Sequence, residues 1–165
     1  MKKNDSNIKK AIKYLNNNEC IAIPTETVYG LAANAYSNKA VSKIYKLKKR
    51  PKNNPLIVHY YNLNDLKKDC EIDNTLKKLF KKFCPGPLSF VLKLKKKSKI
   101  SKIITNNSNL VAVRFPSHRL TRKLLNKINF PLAAPSANIS TSISPVSKQD
   151  VFDEFGLKLK FILDG

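Results

Sequence analysis

The chain has 165 residues, 42% of them hydrophobic, so it is long enough to bury a core and too apolar to be disordered. It lacks the run of ~20 apolar residues that a membrane-spanning helix needs, and the charged residues 1–19 are unlike a secretion signal. The net charge of +21 has two open explanations, a polyanionic partner or a codon bias, because only four of the 32 basic residues are arginine.

The helices are predicted from apolar residues spaced three and four apart. Four of them are expected to begin at the capping residues Ser6, Asn38, Ser117 and Ser147, and two more are expected at 64–69 and 74–83. The second helix should end at Arg50, before Pro51, because the residue before a proline avoids helical geometry. Ser147 and Asp150 have the spacing of a capping box, and Gly156 should end the last helix.

The strands are predicted from short apolar runs. They are expected at 20–23, 56–60, 89–94, 111–114, 132–134 and 159–163. The lysine- and asparagine-rich residues 95–109 are predicted to be a mobile connection. Because strands alternate with helices, we predict one α/β domain, residues 1–165, around a single open mixed sheet. Ligands in such folds lie beyond the carboxyl ends of strands, which draws attention to the turn-rich segments 24–30, 115–117 and 135–146.

Several kinds of chemistry lack their residues here. His59 and His118 stand apart from any serine or cysteine motif, and the 11 acidic residues do not cluster as metal ligands would. No glycine-rich phosphate loop is present, and the three cysteines have no metal-ligand spacing and predict reduced thiols in the cytoplasm. An enzyme with this sequence should therefore work by positioning and electrostatics.

Four polar segments stand where elements end. They are Pro24-Thr25-Glu26-Thr27-Val28-Tyr29-Gly30, the stretch from Lys48 to His59, Val111-Ala112-Val113-Arg114, and Ala134-Pro135-Ser136-Ala137-Asn138. An arginine leaving a buried strand usually has a carboxylate or phosphate partner. Lys48 and Arg50 have a simpler reading, since cations also stabilise the C-terminal end of a helix.

Together these segments resemble the threonylcarbamoyl-AMP synthases, the YrdC-like proteins. The resemblance rests on PTETVYGL, KKRPKNNPLIVH, CPGPLSFVL, VAVRFP and APSANIS followed by SP, in that order, and it covers about residues 5–165. It implies an open twisted sheet around a large basic cavity. It also implies a nucleotidyltransferase that joins L-threonine, bicarbonate or CO₂, and ATP with its Mg²⁺, releasing pyrophosphate, without a permanently bound cofactor or membrane partner.

The resemblance also implies roles for individual residues. Those expected to bind ATP are Lys48, Arg50, Asn54, Ser136, Asn138 and Ser144, with Lys48 and Arg50 catalytic. Those expected to hold threonine are Thr27, His59, Arg114 and the backbone at Ala134, above a cavity floor shaped by Thr25 and Tyr29. A separate transferase complex would then pass the threonylcarbamoyl group to the adenosine beside the anticodon of transfer RNA, and transfer RNA itself stays open as a direct partner.

The sequence departs from this family in a few places. The family usually continues past the final Asp-Gly with a closing Ser-Thr-Val strand, whereas the given sequence stops at Asp164-Gly165, so either a longer chain continues it or the protein lacks this strand. Thr141 and Leu110 stand where glycine and a hydroxyl residue are common in the family. Two other classes stay open. One is a non-catalytic RNA-binding or ribosome-assembly factor, which the charge favours although base-stacking aromatic strands are missing. The other is an enzyme that uses the same fold for another acyl-adenylate or carbamoyl group.

Overall fold

Helices and strands alternate along the chain. The computed structural model describes residues 2–165, and within them it has seven α-helices and a short 3₁₀ helix at Gly156–Lys158. The α-helices are α1 (Lys2–Asn16), α2 (Asn38–Lys48), α3 (Leu63–Leu66), α4 (Asn74–Phe83), α5 (Lys102–Thr105), α6 (Arg119–Leu125) and α7 (Lys148–Phe155).

Six strands form one open sheet in the same residues. They are β1 (Ile21–Ile23), β2 (Gly30–Asn34), β3 (Ile57–His59), β4 (Ser89–Lys93), β5 (Leu110–Arg114) and β6 (Leu132–Ala133), in the order β1-β2-β6-β3-β5-β4. Only the β3–β5 pair is parallel, so β2, β3 and β5 point one way and β1, β4 and β6 the other. The predicted α/β domain with an open mixed sheet is confirmed.

Each face of the sheet has its own core. The larger cluster packs α2, α4, α5 and α7 against side chains such as Val58, Phe90 and Val113. The smaller cluster packs α1 and α6 against β1, β2 and β6, through residues such as Leu15 and Leu124. Burying each such aliphatic side chain is worth about 1.5–3 kcal/mol, so these two clusters hold the layers together.

The helix ends test the capping predictions. The box of Ser147 and Asp150 is present, and Gly156 caps α7 with a φ of 50°. The other predicted caps are wrong by one or more residues. The helix α1 begins at Lys2, so Ser6 lies inside it, whereas α2 is capped by Ser37 and α6 follows His118. Helix α2 ends at Lys48, with Lys49 left-handed at φ 48°.

Two strand predictions need correction. Gly30–Asn34 is a strand, although Gly30 was placed in a predicted turn and residues 31–34 were assigned no element. Its small residues, GLAAN, carry little strand signal. Residues 159–163 do not form a full strand. They lie beside β1 and pair with it at a single β-bridge, between Ala22 and Ile162. Two backbone hydrogen bonds form this bridge: Ala22 N donates to Phe161 O, and Leu163 N donates to Ala22 O.

The segment 95–109 is fastened to the core, contrary to the predicted mobile connection. It contains α5, and Ile100 and Ile104 are buried. The buried carboxylate of Asp69 accepts hydrogen bonds from Ser98 Oγ at 2.9 Å and from Lys99 N at 3.1 Å. The same carboxylate accepts from the hydroxyls of two tyrosines, which are Tyr36 at 2.7 Å and Tyr60 at 3.0 Å.

None of the helices described within residues 2–165 has the length and apolar character needed to cross a membrane.

Candidate active site

One face of the sheet is partly open. Alternate residues of a strand point to opposite faces, so the register of β3, β5 and β4 places His59, Arg114 and Ser89 side by side on one face. On this face α1 and α6 cover β1, β2 and β6, whereas Ser89 and Val91 on β4 are exposed. A ligand can therefore approach the sheet above β3, β5 and β4.

The loop of residues 24–29 reaches across this face. It leaves the sheet at the end of β1, yet Glu26 contacts Arg114 at the end of β5, and these two strands point in opposite directions. The expectation was that the carboxyl ends of the strands share one edge of the sheet. Here they do not, because β1 and β5 point in opposite directions. The loop of residues 24–29 and Arg114 meet over a face of the sheet instead.

Arg114 and Glu26 form the centre of the first cluster. Arg114 donates from Nη2 to Glu26 Oε1 at 2.7 Å and from Nε to the same oxygen at 3.2 Å. Glu26 Oε2 accepts from the backbone N–H of Ser117 at 3.1 Å, and Arg114 Nη2 also reaches Thr27 Oγ1 at 3.4 Å. Burial favours the neutral acid, but hydrogen bonds from the backbone and from Arg114 outweigh it and lower the pKa of Glu26.

The guanidinium still has a free end. Among the hydrogen bonds of residues 2–165, none uses Nη1 of Arg114. Glu26 occupies the Nε–Nη2 side, so the Nη1–Nη2 end remains open to a second anion. A carboxylate is a good match for that fork.

His59 lies next to Arg114 and is only 2% exposed. Burial, together with the nearby charge of Arg114, lowers the pKa of His59 to about 4, so its imidazole is neutral at physiological pH. Its Nδ1 is buried and has no hydrogen-bond partner among the described residues. His59 can therefore act as a hydrogen-bonding group but not as a cation.

The threonines and the tyrosine of the loop shape it from within. Thr25 Oγ1 donates to Val28 O at 2.6 Å and accepts from the backbone N–H groups of Thr27 and Val28, which closes a tight turn. Tyr29 is buried, and its hydroxyl lies 3.2 Å from Gly165 O and 3.3 Å from Gly165 N. Thr25 and Tyr29 thus support the loop, and Thr27 faces Arg114.

Lys48 is the centre of the second cluster. It is 1% exposed at the end of α2, and its Nζ donates to Ser136 O at 2.7 Å and to Asn138 O. Its own carbonyl accepts from Ser140 N at 2.8 Å, so Lys48 fixes the segment after β6 against α2. Burial, and secondly the charge of Arg50, lowers the pKa of Lys48 to about 8. Lys48 therefore loses its charge far more easily than an ordinary lysine.

Two buried polar atoms beside Lys48 lack partners. Among the described residues, Asn138 Oδ1 and Ser140 Oγ accept or donate no hydrogen bond, although Asn138 Nδ2 donates to Ile139 O and Ser142 O. Such groups are costly when left unpaired and are usually satisfied by a water or a ligand. Thr141 in the same turn has a φ of 81°, which explains why glycine would suit this position.

Arg50 and Ser144 line two separate grooves, and Asn54 is hydrogen-bonded to Arg50. Arg50 Nη2 donates to Asn54 Oδ1 at 2.6 Å and to Pro55 O at 2.9 Å, and Arg50 lines a groove of ≈ 390 Å³. Ser144 lines another of ≈ 450 Å³, together with Glu154. Among the described residues no hydrogen bond joins Arg50 to Lys48 or Ser136, so their joint action on one ligand stays a prediction.

Backbone hydrogen bonds connect the two clusters. Ala137 N donates to Tyr29 O at 2.7 Å, and Gly30 forms a bridge with Ser136. Ala134 N donates to Ile57 O at 2.9 Å, which ties the segment after β6 to β3. Most of the predicted site residues therefore lie in two neighbouring groups joined through the loop after β1. Arg50 and Ser144 line separate grooves, and Asn54 is the hydrogen-bond partner of Arg50.

Three site residues were not assigned from the sequence. The sequence marked Glu26 as a polar residue of the loop after β1, but it did not identify Glu26 as the partner of Arg114, which lies 88 positions later in the sequence. Ser140 and Glu154 border the Lys48 cluster, since Ile139 N donates to Glu154 Oε1 at 2.5 Å. The glutamate at the centre of the PTET motif was the one available signal.

The three cysteine thiols lie where burial disfavours their ionised form. Burial raises the pKa of Cys20 and Cys70 to about 12 and also raises the pKa of Cys84, so none is an activated thiolate. Within residues 2–165, no group of three His, Cys, Asp or Glu side chains could hold a metal ion.

Comparisons with known proteins were made for the whole chain. A family model described as "Telomere recombination", for Sua5, YciO and YrdC, matches residues 13–165. A threonylcarbamoyl-AMP synthase from Pyrococcus abyssi is 42% identical over 159 residues, which is 96% of this chain and 46% of the relative. The Bacillus subtilis threonylcarbamoyl-AMP synthase is 40% identical over 163 residues, covering 98% of this chain and 47% of the relative.

A solved structure agrees with these sequence matches. Sua5 of P. abyssi complexed with L-threonine superposes with a TM-score of 0.91 at 41% identity, over 96% of this chain and 46% of that one. The chain thus spans about half the length of these relatives.

Proposed function

Because this chain belongs to the Sua5/YciO/YrdC family, we propose that it is an L-threonylcarbamoyladenylate synthase. The reaction consumes L-threonine, bicarbonate or CO₂, and ATP, and it yields threonylcarbamoyl-AMP and pyrophosphate. The relatives named for this activity are about twice as long, so the activity of this chain is a proposal of its own. In this reading residues 1–165 are the catalytic domain, a nucleotidyltransferase.

The observation that carries the proposal is the open end of Arg114 on the sheet face. The guanidinium is held by Glu26 on one side and leaves Nη1 for an incoming carboxylate. Thr27 and the neutral His59 lie next to it and offer hydrogen-bonding groups for a hydroxyl. A site that hydrogen-bonds a substrate hydroxyl disfavours analogues that lack one, because its polar groups are then left unpaired. Such a site fits L-threonine, whose side chain carries a hydroxyl. The L-threonine complex of the P. abyssi Sua5 gives independent support.

The chemistry needs no protein nucleophile. The threonine amine adds to CO₂ and loses a proton, giving a carbamate. A carbamate oxygen then forms a bond to the α-phosphorus of ATP, and the bond from that phosphorus to the bridging oxygen of pyrophosphate breaks. Alignment and charge neutralisation lower the barrier, and ATP enters as its Mg²⁺ complex.

The Lys48 cluster is proposed as the ATP side of the site. Lys48 and Arg50 would neutralise the phosphates, with Asn54 positioning Arg50 and Ser144 in a separate groove. The unpaired Asn138 Oδ1, together with the Ser136 segment, supplies polar contacts for the nucleotide. The N–H of Ala134 already donates to Ile57 O on β3, so Ala134 would bind threonine through its backbone carbonyl.

The product has a defined next step. Threonylcarbamoyl-AMP is a mixed anhydride, so a separate transferase complex would pass its acyl group to an adenosine of transfer RNA. The three cysteines of this chain are free, as expected in a reducing compartment, so we propose a cytoplasmic location for the protein.

The test is pyrophosphate release from ATP by the chain as given. We expect release that requires both L-threonine and bicarbonate, with threonylcarbamoyl-AMP identified by mass spectrometry. Arg114→Ala should raise the KM for L-threonine, whereas Arg119→Ala, on the exposed start of α6, should not. Release that is indifferent to threonine, or that prefers carbamoyl phosphate, would reject the proposal.

A further inference from the structure

The three cations proposed to bind the two anionic substrates have different surroundings. Lys48 and Arg50 form no ion pair with a carboxylate of residues 2–165, whereas Arg114 is paired with Glu26 at 2.7 Å. The chain has 11 acidic residues against 32 basic ones. An acid placed beside a substrate-binding arginine in such a chain calls for an explanation.

The ion pair of Arg114 with Glu26 is shielded from water. The two side chains are 13% and 17% exposed, whereas in the other six ion pairs found within residues 2–165 every side chain is at least a quarter exposed. Water and salt therefore screen this pair less than the surface pairs. The hydrogen bonds that Glu26 accepts lower its pKa despite its burial, so its carboxylate is ionised at neutral pH.

A guanidinium by itself does not distinguish between the two substrates. It binds carboxylates and phosphates alike, through paired N–H donors. A phosphate group carries more charge than a carboxylate, so a lone arginine attracts the triphosphate of ATP more strongly than the carboxylate of threonine. The proposed reaction brings both anions together, since a carbamate oxygen must reach the α-phosphorus. Without a partner, Arg114 would therefore be a competing site for phosphate.

Glu26 changes this preference through its negative charge. It occupies the Nε–Nη2 side of Arg114, and the pair as a whole has no net charge. Coulomb energy scales with the charge of the ligand, so Glu26 repels a phosphate dianion about twice as strongly as a carboxylate at the same distance. A carboxylate can still use Nη1, which no hydrogen bond within residues 2–165 occupies. The pair thus favours the less charged of the two ligands.

The carboxylate of Glu26 is also held in a fixed place. Its Oε1 accepts from Arg114, and its Oε2 accepts from the backbone N–H of Ser117 at 3.1 Å. Because both oxygens are engaged, the negative charge stays beside the open end of the guanidinium. The same contacts fasten the loop of residues 24–29 to β5 and to the segment before α6, which is a purely structural role that an experiment must separate from an effect on the ligand.

We propose that Glu26 is a specificity-determining residue, which reserves Arg114 for the carboxylate of an amino acid and excludes the phosphates of ATP from it. Glu26 acts through Arg114 and not on the reacting atoms. The phosphates are left to Lys48 and Arg50, whose charges have no carboxylate partner in an ion pair among the described residues. The inference rests on the proposed function, because it requires one site that receives both an amino acid and ATP.

The experiment measures whether a phosphate chain competes with L-threonine. L-threonine is titrated by calorimetry with and without saturating sodium tripolyphosphate, and sodium chloride keeps the ionic strength equal. Glu26→Gln removes the charge and keeps the shape of the side chain. Glu71→Gln is the matched control, because it removes the same charge from an exposed side chain outside the candidate site.

We expect tripolyphosphate to leave the apparent Kd for L-threonine unchanged in the unmodified chain and in Glu71→Gln. In Glu26→Gln it should raise that Kd by about tenfold or more, because placing like charges side by side in a binding site costs at least this much affinity. Glu26→Asp keeps the charge and should keep most of the exclusion. Glu26→Ala should behave as Glu26→Gln does, and it serves if Glu26→Gln fails to fold.

Three outcomes would overturn the inference. They are competition by tripolyphosphate in the unmodified chain, equal competition in Glu71→Gln and Glu26→Gln, and a loss of L-threonine affinity in Glu26→Gln that is the same with and without tripolyphosphate. The last result would mean that Glu26 only holds the loop.

Pyrophosphate release by the unmodified chain is measured in parallel. Its absence rejects the proposed function and this inference with it. Threonine-dependent release, together with a Glu26→Gln variant that tripolyphosphate does not affect, rejects the inference alone.

Discussion

The ionisation of Lys48 should control the affinity for ATP in the alkaline range. Its pKa is lowered to about 8 by burial and by the charge of Arg50, so the ammonium is present at pH 7 and mostly absent at pH 9. If only the charged form binds phosphate, the apparent Kd rises by the factor 1 + 10^(pH − pKa). That factor is about 2 at pH 8 and about 11 at pH 9. An ordinary lysine would give almost no change over this range.

The assay is calorimetric titration with α,β-methylene-ATP, whose P–C–P bridge prevents loss of pyrophosphate, at pH 7, 8 and 9. Lys48→Arg should make the affinity independent of pH in this range, because a guanidinium remains charged. Lys48→Met should bind weakly at every pH. Lys39→Met, on the exposed start of α2, should retain the tenfold change of the original chain.

A flat profile for the original chain would refute this reasoning. It would mean that Lys48 serves only to hold Ser136 O and Asn138 O, the two carbonyls that it contacts in the structure. The proposed role in phosphate binding would then fall to Arg50.

Three further predictions follow from single contacts. Arg114→Lys removes the planar guanidinium fork and should raise the KM for L-threonine by about tenfold or more, with a smaller change in kcat. The control Arg119→Lys should leave both KM and kcat unchanged. Equal effects of the two substitutions would contradict the role of Arg114. Thr141→Gly relieves a φ of 81° and should raise the free energy of unfolding in urea by about 0.5–1 kcal/mol; a decrease would show that the threonine is not strained. Asp69→Asn should lower the free energy of unfolding by about 2–4 kcal/mol, because four donors share that carboxylate. Tyr36→Phe removes only one of these hydrogen bonds and should lower the free energy of unfolding by about 1 kcal/mol. If Asp69→Asn loses no more than Tyr36→Phe, the carboxylate is not the common anchor of the four donors.

Some local signals in the sequence predicted local structure correctly, although the caps expected at Ser6, Asn38 and Ser117 were displaced. Helix α4 and the capping box of α7 were placed correctly, because the apolar stripe and the box depend on residues within a few positions of each other. Strand β2 was missed because small residues are compatible with turns and strands alike. The anchoring of 95–109 was missed because it depends on Asp69, nearly 30 residues earlier.

In the candidate site, too, the sequence identified individual residues but not their distant partners. The motifs selected Lys48, Ser136, Thr27 and Arg114, and the structure joins them in two adjacent clusters. Their partners could not be derived from spacing, since Lys48 reaches Ser136 across 88 positions. The pairing of Arg114 with Glu26 required knowledge of how the loop after β1 crosses the sheet.

The central place of β6 has a consequence for how the chain is made. Strand β6 is the last to leave the ribosome, yet it lies between β2 and β3 and bonds to both. In a nascent chain that ends before Leu132, the β1–β2 hairpin and the β3–β5–β4 unit have no strand between them to join their edges. Until β6 inserts, two strand edges stay unpaired, and such edges are prone to intermolecular association. Synthesis should therefore be the stage at which this fold depends most on chaperones.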